Sequence, residues 1–489
     1  MSTFSGLNGA LTSLLAQRRA LEIAGQNIAN VNTPGYTRQR AHLTAIDGAS
    51  YPSLHAGTAN VNGGVALTSV ERLGEVFLEA RVREEAVNAG YLGAVAEAWD
   101  GIEALVQEPG DDGLAAQMDG FFTAWQDVAN RPDDLGARAL LLQGAEALVT
   151  RIGSVYREVA ARWADSRGQA GALEAEVNTT ADAVADLNAR IRSVTVSGGN
   201  ANTLVDERAN LLTRLAQLVG AEARPREDDT VDVMVGGNAL VRGDDVHHVA
   251  VQGAPTLAAL VGWDPAAPAT PAQGPVRLVW SESGTTVGAT GGRLGGLLTA
   301  LAPAGTTGPG GPLATIAATL DDLATELATR VNTVHATGLH LDADPSAPDP
   351  DTDFFAVSTD PADGPPALNL HVAVSDVRRI RAAAPGAGAL DGSVADAVSQ
   401  LADVLGQSWS QTVVNIGVQT RTAGARAASA AATFDVATDL LQARTGVNLD
   451  EETLALMASQ RAYEGAARVV TAIDQLLDTL INRTGIVGR

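Results

Sequence analysis

The side chains with metal-binding or catalytic potential fall in two places. Asp342, Asp344, Asp349, Asp351 and Asp353 set five carboxylates close together in a Pro-rich stretch. Such oxygen donors suit a hard cation. A calcium loop opening at Asp349, however, needs Gly at its sixth place and a bidentate Glu at its twelfth. Phe354 and Asp360 stand there, so the stretch reads as a solvated acidic loop. His247 and His248 adjoin in a region of alternating valines, with no HExxH pattern nearby, and read as an exposed strand or loop pair rather than a zinc site. The chain has no Cys, which excludes thiolate nucleophiles, disulfides and zinc-thiolate sites. All 33 basic residues are Arg, which excludes a Schiff-base or Walker A lysine. No G-x-S-x-G elbow occurs, and Gly291-Gly292-Arg293-Leu294-Gly295-Gly296 lacks the dinucleotide-binding spacing. No catalytic residue, cofactor site or metal site is therefore assigned, and the expectation is a protein that is not an enzyme.

A chain of 489 residues is too long for one ordinary core and implies two to four domains by the usual domain size. Hydrophobic residues make up 45% and charged residues 18%, a balance that supports folded structure. The formal net charge of -24 repels nucleic acid and anionic membrane. No apolar run is long enough to span a membrane, so no membrane insertion is expected. Arg18 and Arg19 interrupt the N-terminal apolar pattern, so no cleaved signal peptide is expected; export would need another route.

The elements that would position any functional surface are helices. Leu456, Ser459, Tyr463, Ala466, Val470, Ile473, Leu477 and Leu480 follow an unbroken 3-4-3-4 spacing, the pattern of a coiled-coil seam. Phe4, Leu7, Leu11, Leu14, Leu21 and Ile28 form a second seam, interrupted by Arg18 and Gly25. Two such seams at opposite ends imply that the ends meet, or meet copies of themselves. Between them the pattern predicts helices over Val70–Val106, Leu114–Ala129, Leu135–Val196, Asn202–Leu218, Leu313–Ala336 and Asp391–Arg444. An extended arm or short strands are expected over 40–68, and two strands within 354–380. Val231, Val233 and Val235 alternate with polar residues before a Gly236-Gly237-Asn238 turn, which reads as β structure. The expected fold is mainly α with an inserted β domain: a multi-domain, long helical bundle with terminal coiled-coil helices. Residues 1–35 with 446–489 form the terminal coiled-coil domain, 36–220 with 293–445 the bundle, and 221–292 the small β domain.

One stretch exceeds what a helix stop requires: Asn27-Ile28-Ala29-Asn30-Val31-Asn32-Thr33-Pro34-Gly35-Tyr36. It resembles the N-terminal signature of the bacterial flagellar rod and hook axial protein family. Thr37-Arg38-Gln39, Leu204-Val205-Asp206-Glu207-Arg208, Val331-Asn332-Thr333-Val334-His335 and Gly446-Val447-Asn448-Leu449-Asp450-Glu451-Glu452 resemble its hook-associated branch, found at the hook–filament junction. Gln460-Arg461-Ala462-Tyr463-Glu464 is similar to a motif shared more widely among axial proteins. The resemblance implies a structural flagellar subunit needed for filament assembly, exported by the flagellar type III system to the extracellular flagellum. It implies self-association in a ring or tube and contacts with the hook protein and a second hook-associated junction protein. An export chaperone would hold the C-terminal helix. The residues expected at the assembly interface are Leu7, Leu11, Leu14, Leu21, Ile28, Asn30, Asn32, Pro34, Gly35, Tyr36, Leu456, Tyr463, Val470, Ile473, Leu477 and Leu480. Another axial subunit, a rod or hook protein, shares the terminal motifs and is the alternative. A secreted cell-wall hydrolase with helical arms is a third reading, for which the sequence offers no nucleophile or acid pair.

Overall fold

The computed structural model describes residues 3–46, 64–263, 273–288, 290–305, 310–343, 352–358, 360 and 363–482. Helix α1 (Thr3–Ala29) leads through a turn into strand β1 (Gln39–Ile46), which pairs antiparallel with β2 (Gly64–Arg72). Gln39 lies opposite Arg72 and Ile46 opposite Gly64, with an irregularity between His42 and Leu43. Helix α2 (Val76–Val106) starts six residues after the Val70 that the sequence pattern suggested, because Val70 is taken into β2 opposite Ala41. Next come α3 (Leu114–Asn130), α4 (Leu135–Val196) and α5 (Asn202–Val219). The 62 residues of α4 make a rod about 93 Å long at 1.5 Å per residue. It begins where Asp134 Oδ1 accepts from the Gly136 N–H at 2.8 Å, satisfying one of the free donors of the first turn.

The β region follows. Strands β3 (Glu222–Pro225), β4 (Val231–Val235), β5 (Asn238–Arg242) and β6 (Asp245–Val246) form an antiparallel sheet in chain order. Strands β7 (Val249–Gln252) and β8 (Arg277–Trp280) pair separately, with the short helix α6 (Leu257–Val261) between them. The Gly-rich run at 291–296 opens α7 (Gly292–Ala300), as a return to helix. Then α8 (Pro312–His335) precedes a two-stranded pair, β9 (Phe355–Ala356) with β10 (His371–Val372), and α9 (Pro366–Asn369) lies between them. Helices α10 (Ser393–Ser399), α11 (Ala402–Thr445) and α12 (Leu449–Asn482) complete the described chain. Among the described residues no helix is long and apolar enough to cross a membrane.

Helix α4 is the spine of the body. Leu141, Leu148, Ile152, Val155, Val159 and Trp163 bury its first half against α3 and α8. Phe121 and Trp125 of α3 meet Phe354 and Phe355 at ring-centroid distances of 5.0–6.1 Å in tilted arrangements, away from a face-to-face stack. The second half carries the β region by polar contacts. Asn188 is fully buried; its Nδ2 donates to the carbonyls of Val231 (2.8 Å) and Gly243 (2.7 Å), and its Oδ1 accepts from Val231 N and Arg208. Nearer the middle of the helix, Asn178 bonds both the N–H and the carbonyl of Val249, and Glu174 accepts from the Val251 N–H. A helix side thus satisfies strand backbone that would otherwise be buried without partners. Helices α7 and α11 flank α2. At Gly296 a Cβ would lie 2.5 Å from the Tyr91 carbonyl, so only Gly allows α7 to sit this close to α2.

Two titratable groups in the body have opposed pH behaviour. His335 is completely buried; Nδ1 donates to the Thr352 carbonyl at 2.7 Å and Nε2 accepts from Arg381 N at 3.0 Å, which fixes the neutral tautomer. Burial lowers its pKa to about 4, and the charges of Arg381 and Arg138 act in the same direction. The Asp321 carboxyl is pushed up to about 6, mainly by burial, although Ala367 N donates to it at 3.0 Å. His335 contributes stability that is present above its unfolded pKa of ~6.5 and is lost as pH falls through about 4. Asp321 contributes stability that is present below its unfolded pKa of ~3.9 and is lost as pH rises through about 6. On acidification the two oppose each other. The Asp321→Asn variant should therefore lose melting temperature more steeply than the unmodified chain between about pH 6 and pH 4. Parallel Tm–pH curves for the two proteins would refute this opposition.

Candidate functional site

The two chain ends lie side by side: α1 packs along α12 and against β1 and β2. Where this pair meets the body, polar side chains are arranged around Asn27, which is 1% exposed. Its Nδ2 donates to the Gln39 carbonyl at 2.8 Å and to Glu452 Oε2 at 3.0 Å. Its Oδ1 accepts from Tyr36 Oη at 2.9 Å and from the Gln39 N–H at 3.0 Å. All four capacities of the amide are used. Glu452 is 2% exposed and receives Arg38 Nε at 2.6 Å on its other oxygen, while Arg38 also pairs with Glu451. The Arg38 N–H donates to the Thr445 carbonyl at 2.9 Å, so residue 38 joins the C-terminal segment through backbone and side chain. Asn448 starts α12, its Oδ1 accepting from Asp450 N at 3.0 Å.

A second carboxylate ties this joint to α5. Asp206 accepts from the Thr37 N–H at 3.1 Å and from Arg72 Nε at 2.6 Å, and Arg72 also holds Glu79 at 2.7 Å. Asn202 Nδ2 donates to the Val70 carbonyl at 3.0 Å. The turn feeding the joint needs Gly35: its φ is +74°, and a Cβ there would collide with the Asn210 amide. Burial pushes the Tyr36 hydroxyl up to about 12, helped by the charges of Asp206 and Glu452, so it stays protonated and donates to Asn27.

The residues expected at an assembly interface are placed as follows. Val470, Ile473 and Leu477 belong to the side of α12 turned to α1, where Ile473 lies against Gly6, and Leu456 continues that line; Tyr463 is 39% exposed. Leu7, Leu14, Leu21 and Ile28 are half-buried and Leu11 is 50% exposed. The most buried positions of α1 are Ala10, Ala16, Ile23, Ala24 and Asn27. They centre about 110° round the helix from the Leu7–Leu14–Leu21–Ile28 line, at 100° per residue. Asn30 bonds the Gln26 carbonyl at 2.9 Å, and Asn32, Pro34 and Gly35 are exposed. The side chains of Phe4 and Leu480 lie outside the described residues. The polar core of the joint, Asn27, Arg38, Gln39, Arg72, Asp206 and Glu452, was not selected on apolar spacing. Most of its members sit inside the quoted motifs, and the density of Asn in 27–32 was the one signal that pointed there.

Of the acidic loop, Asp344, Asp349 and Asp351 lie outside the described residues. Asp342 is held by Arg378 through two bonds of 2.6 Å, and Asp353 is exposed. His248 faces Asp182 at 2.9 Å and His247 faces Glu282 at 3.5 Å, both at the surface. Among the described residues no group of three or more His, Cys, Asp or Glu side chains is placed to hold a metal.

Known proteins resemble this chain along its length. A family profile described as the flagellar hook-associated protein FlgK helical domain matches residues 99–355. Profiles described as flagella basal body rod protein and flagellar basal body rod FlgEFG protein C-terminal match 7–37 and 443–483. Flagellar hook-associated protein 1 of Bacillus subtilis (strain 168) is 27% identical over the whole of both chains. Its namesake in Escherichia coli (strain K12) is 30% identical over 50% of this chain and 44% of its own. In fold, the flagellar hook junction protein FlgK from Burkholderia pseudomallei superposes with a TM-score of 0.57 at 16% identity, covering 76% of this chain and 100% of that one.

Rod-type segments at both ends and a helical body between them define a structural protein of the bacterial flagellum. Within that class the chain belongs to the flagellar hook-associated protein FlgK family, that of the hook–filament junction protein, whose role is structural and not enzymatic.

The joint makes a local prediction. Asn27→Ala strands the buried Glu452 oxygen and the Gln39 backbone groups, at a cost of about 2–3 kcal/mol. Hydrogen exchange should quicken in α1 and the first turns of α12, while the amides of α3, α4 and α8 keep their protection. Unchanged exchange in both terminal helices would show that Asn27 does not hold the joint.

Proposed function

We propose that this chain forms a tubular layer at the hook–filament junction, with α1 and α12 lining its inner wall and the body facing outward. In this reading residues 1–35 with 446–489 are the assembly domain, 36–220 with 293–445 the supporting bundle, and 221–292 an outward β domain. The observation that carries it is the second apolar face of α12. Leu454 and Leu476 are 66% and 56% exposed, with Met457 and Val469 between them, on the flank of the helix beside the Ile473 seam. Leu11 and Leu15 of α1 add to this uncovered surface. Contiguous exposed apolar faces of this kind mark interaction sites. In a tube they are buried by lateral copies, and the Leu7, Leu14, Leu21 and Ile28 line is half-covered in the monomer and available for the same purpose. The hook protein and a second hook-associated protein are the expected neighbours along the axis. An export chaperone on the C-terminal helix would shield its apolar faces before passage to the cell exterior through the type III route.

The outward face of α12 gives the test. Leu476 is 56% exposed in the monomer, so Leu476→Asp should melt as the unmodified chain does. A carboxylate buried between copies without a partner costs several kcal/mol. Filaments should then fail to attach to hooks, and filament subunits should leak into the medium. Export of the variant is checked by immunoblot, because a chaperone using the same face would also be disturbed. An exported, normally folded variant that still carries full filaments would rule out this assembly role.

A further inference from the structure

The joint leaves an open groove of about 950 Å³ on one flank, between the Asn30–Thr37 turn, α2, α5, the end of α11 and the start of α12. Phe434, Leu441, Val447 and Leu449 give it an apolar wall, and Val82 and Arg83 of α2 also line it. Leu449 is itself 48% exposed, so the wall opens to solvent at the start of α12. On the first turn of α2 stands the converse feature. Phe77 is 87% exposed, beside Val76 at 65%, which makes an uncovered aromatic knob. Phe77 lies about 140° round α2 from Val82, so knob and groove occupy different flanks of the molecule.

Charge fits the same pairing. Burial lowers the pKa of Arg83, and the carboxylate it senses, Glu79, is already bonded to Arg72. Among the described residues Arg83 makes no ion pair. The knob is flanked by exposed carboxylates, Glu75 before it and Glu84 two turns after it, with exposed Arg81 one turn after it. A single surface carrying both knob and groove would give a closed dimer. A knob on one flank and a groove on another give a head-to-tail contact, which propagates into rings or helical tubes.

The geometry points to a lateral contact in which Val76 and Phe77 of one copy enter the groove walled by Phe434, Leu441 and Leu449 of the next copy, with Glu84 or Glu75 approaching that copy's Arg83. This rests on the tubular assembly proposed above and names a contact in it that the terminal helices do not supply. The knob-and-groove pair would fix the azimuth between adjacent bodies, whereas the terminal helices fix only the inner wall. A large exposed aromatic entering an apolar pocket is the usual form of an interface anchor.

The absence of Cys makes the contact directly testable. Flagella carrying Phe77→Cys together with Leu449→Cys should, on mild oxidation, give a ladder of disulfide-linked multimers of this chain. Each single variant should give none. Phe77→Glu should leave the melting temperature unchanged, since the side chain is exposed in the monomer, and weaken the contact about thirtyfold or more, a hot-spot loss of ~2 kcal/mol converted at 1.4 kcal/mol per decade. Cells carrying it should bear fewer filaments. Three results would each overturn the contact: only monomer after oxidation of assembled double-cysteine flagella; a disulfide-linked dimer of the Phe77→Cys single variant, which means a symmetric contact; or unchanged filament number with Phe77→Glu. None of the three bears on the tubular assembly itself, which the Leu476→Asp variant reads separately.

Discussion

A buried carboxylate dictates how the two ends of this chain join its middle. Glu452 is withdrawn from water, and an ionised carboxylate in that position needs both charge compensation and hydrogen bonds. Arg38 supplies the first and Asn27 the second. Because Asn27 must also satisfy the backbone of Gln39, the start of β1 is fixed against α1 and α12 at once. The hairpin of β1 and β2 then delivers Arg72 to Asp206, and Asp206 in turn holds the Thr37 N–H. Each of these groups would be costly to leave unpaired, so the joint is settled as a unit rather than contact by contact.

The rest of the molecule divides cleanly between surfaces that are finished inside one chain and surfaces that are not. Helix α4 is finished: it buries an apolar line in its first half and commits Glu174, Asn178 and Asn188 to strand backbone in its second. The aromatic cluster of Phe121, Trp125, Phe354 and Phe355 is likewise complete within the body. Helices α1 and α12 are not. Each has one side against the other and a further apolar side in water. Exposed apolar faces of this kind mark interaction sites, and the tubular layer proposed above would bury them. The polar joint between the two regions allows the incomplete helices to be held at a set position by the complete body.

Most helix extents were readable in the sequence, although the stretch expected as one helix over Asp391–Arg444 is two, α10 and α11. The limits of α4, Leu135 and Val196, follow from an N-cap Asp134, a sustained near-heptad line and a Ser-Gly-Gly stop, all local features. The β region between α5 and α7 was likewise legible from alternating valines and glycine turns. Strand β2 was less so: its Val70 reads equally as the first turn of a helix, and pairing with the distant Ala41 decided the matter. The absence of thiolate and lysine chemistry is a property of composition and needed no coordinates. The motifs around Asn27–Gln39 and Gly446–Glu452 carried the resemblance to flagellar axial proteins without revealing what each residue does.

What the sequence by itself determined is which stretches are helical and that both ends carry apolar lines. Periodicity is a local property, and it registers these things because backbone hydrogen bonding and side-chain spacing are local. Only the tertiary structure decided which side of α1 is covered. An apolar stripe states that a face prefers burial but not what buries it, and in α1 the small residues Ala10, Ala16 and Ala24 are more deeply covered than the leucines. The joint was decided in the same way. Asn27 and Glu452 are separated by 425 positions, and no periodic pattern couples residues at that distance; the need to satisfy a buried carboxylate couples them once the ends are brought together.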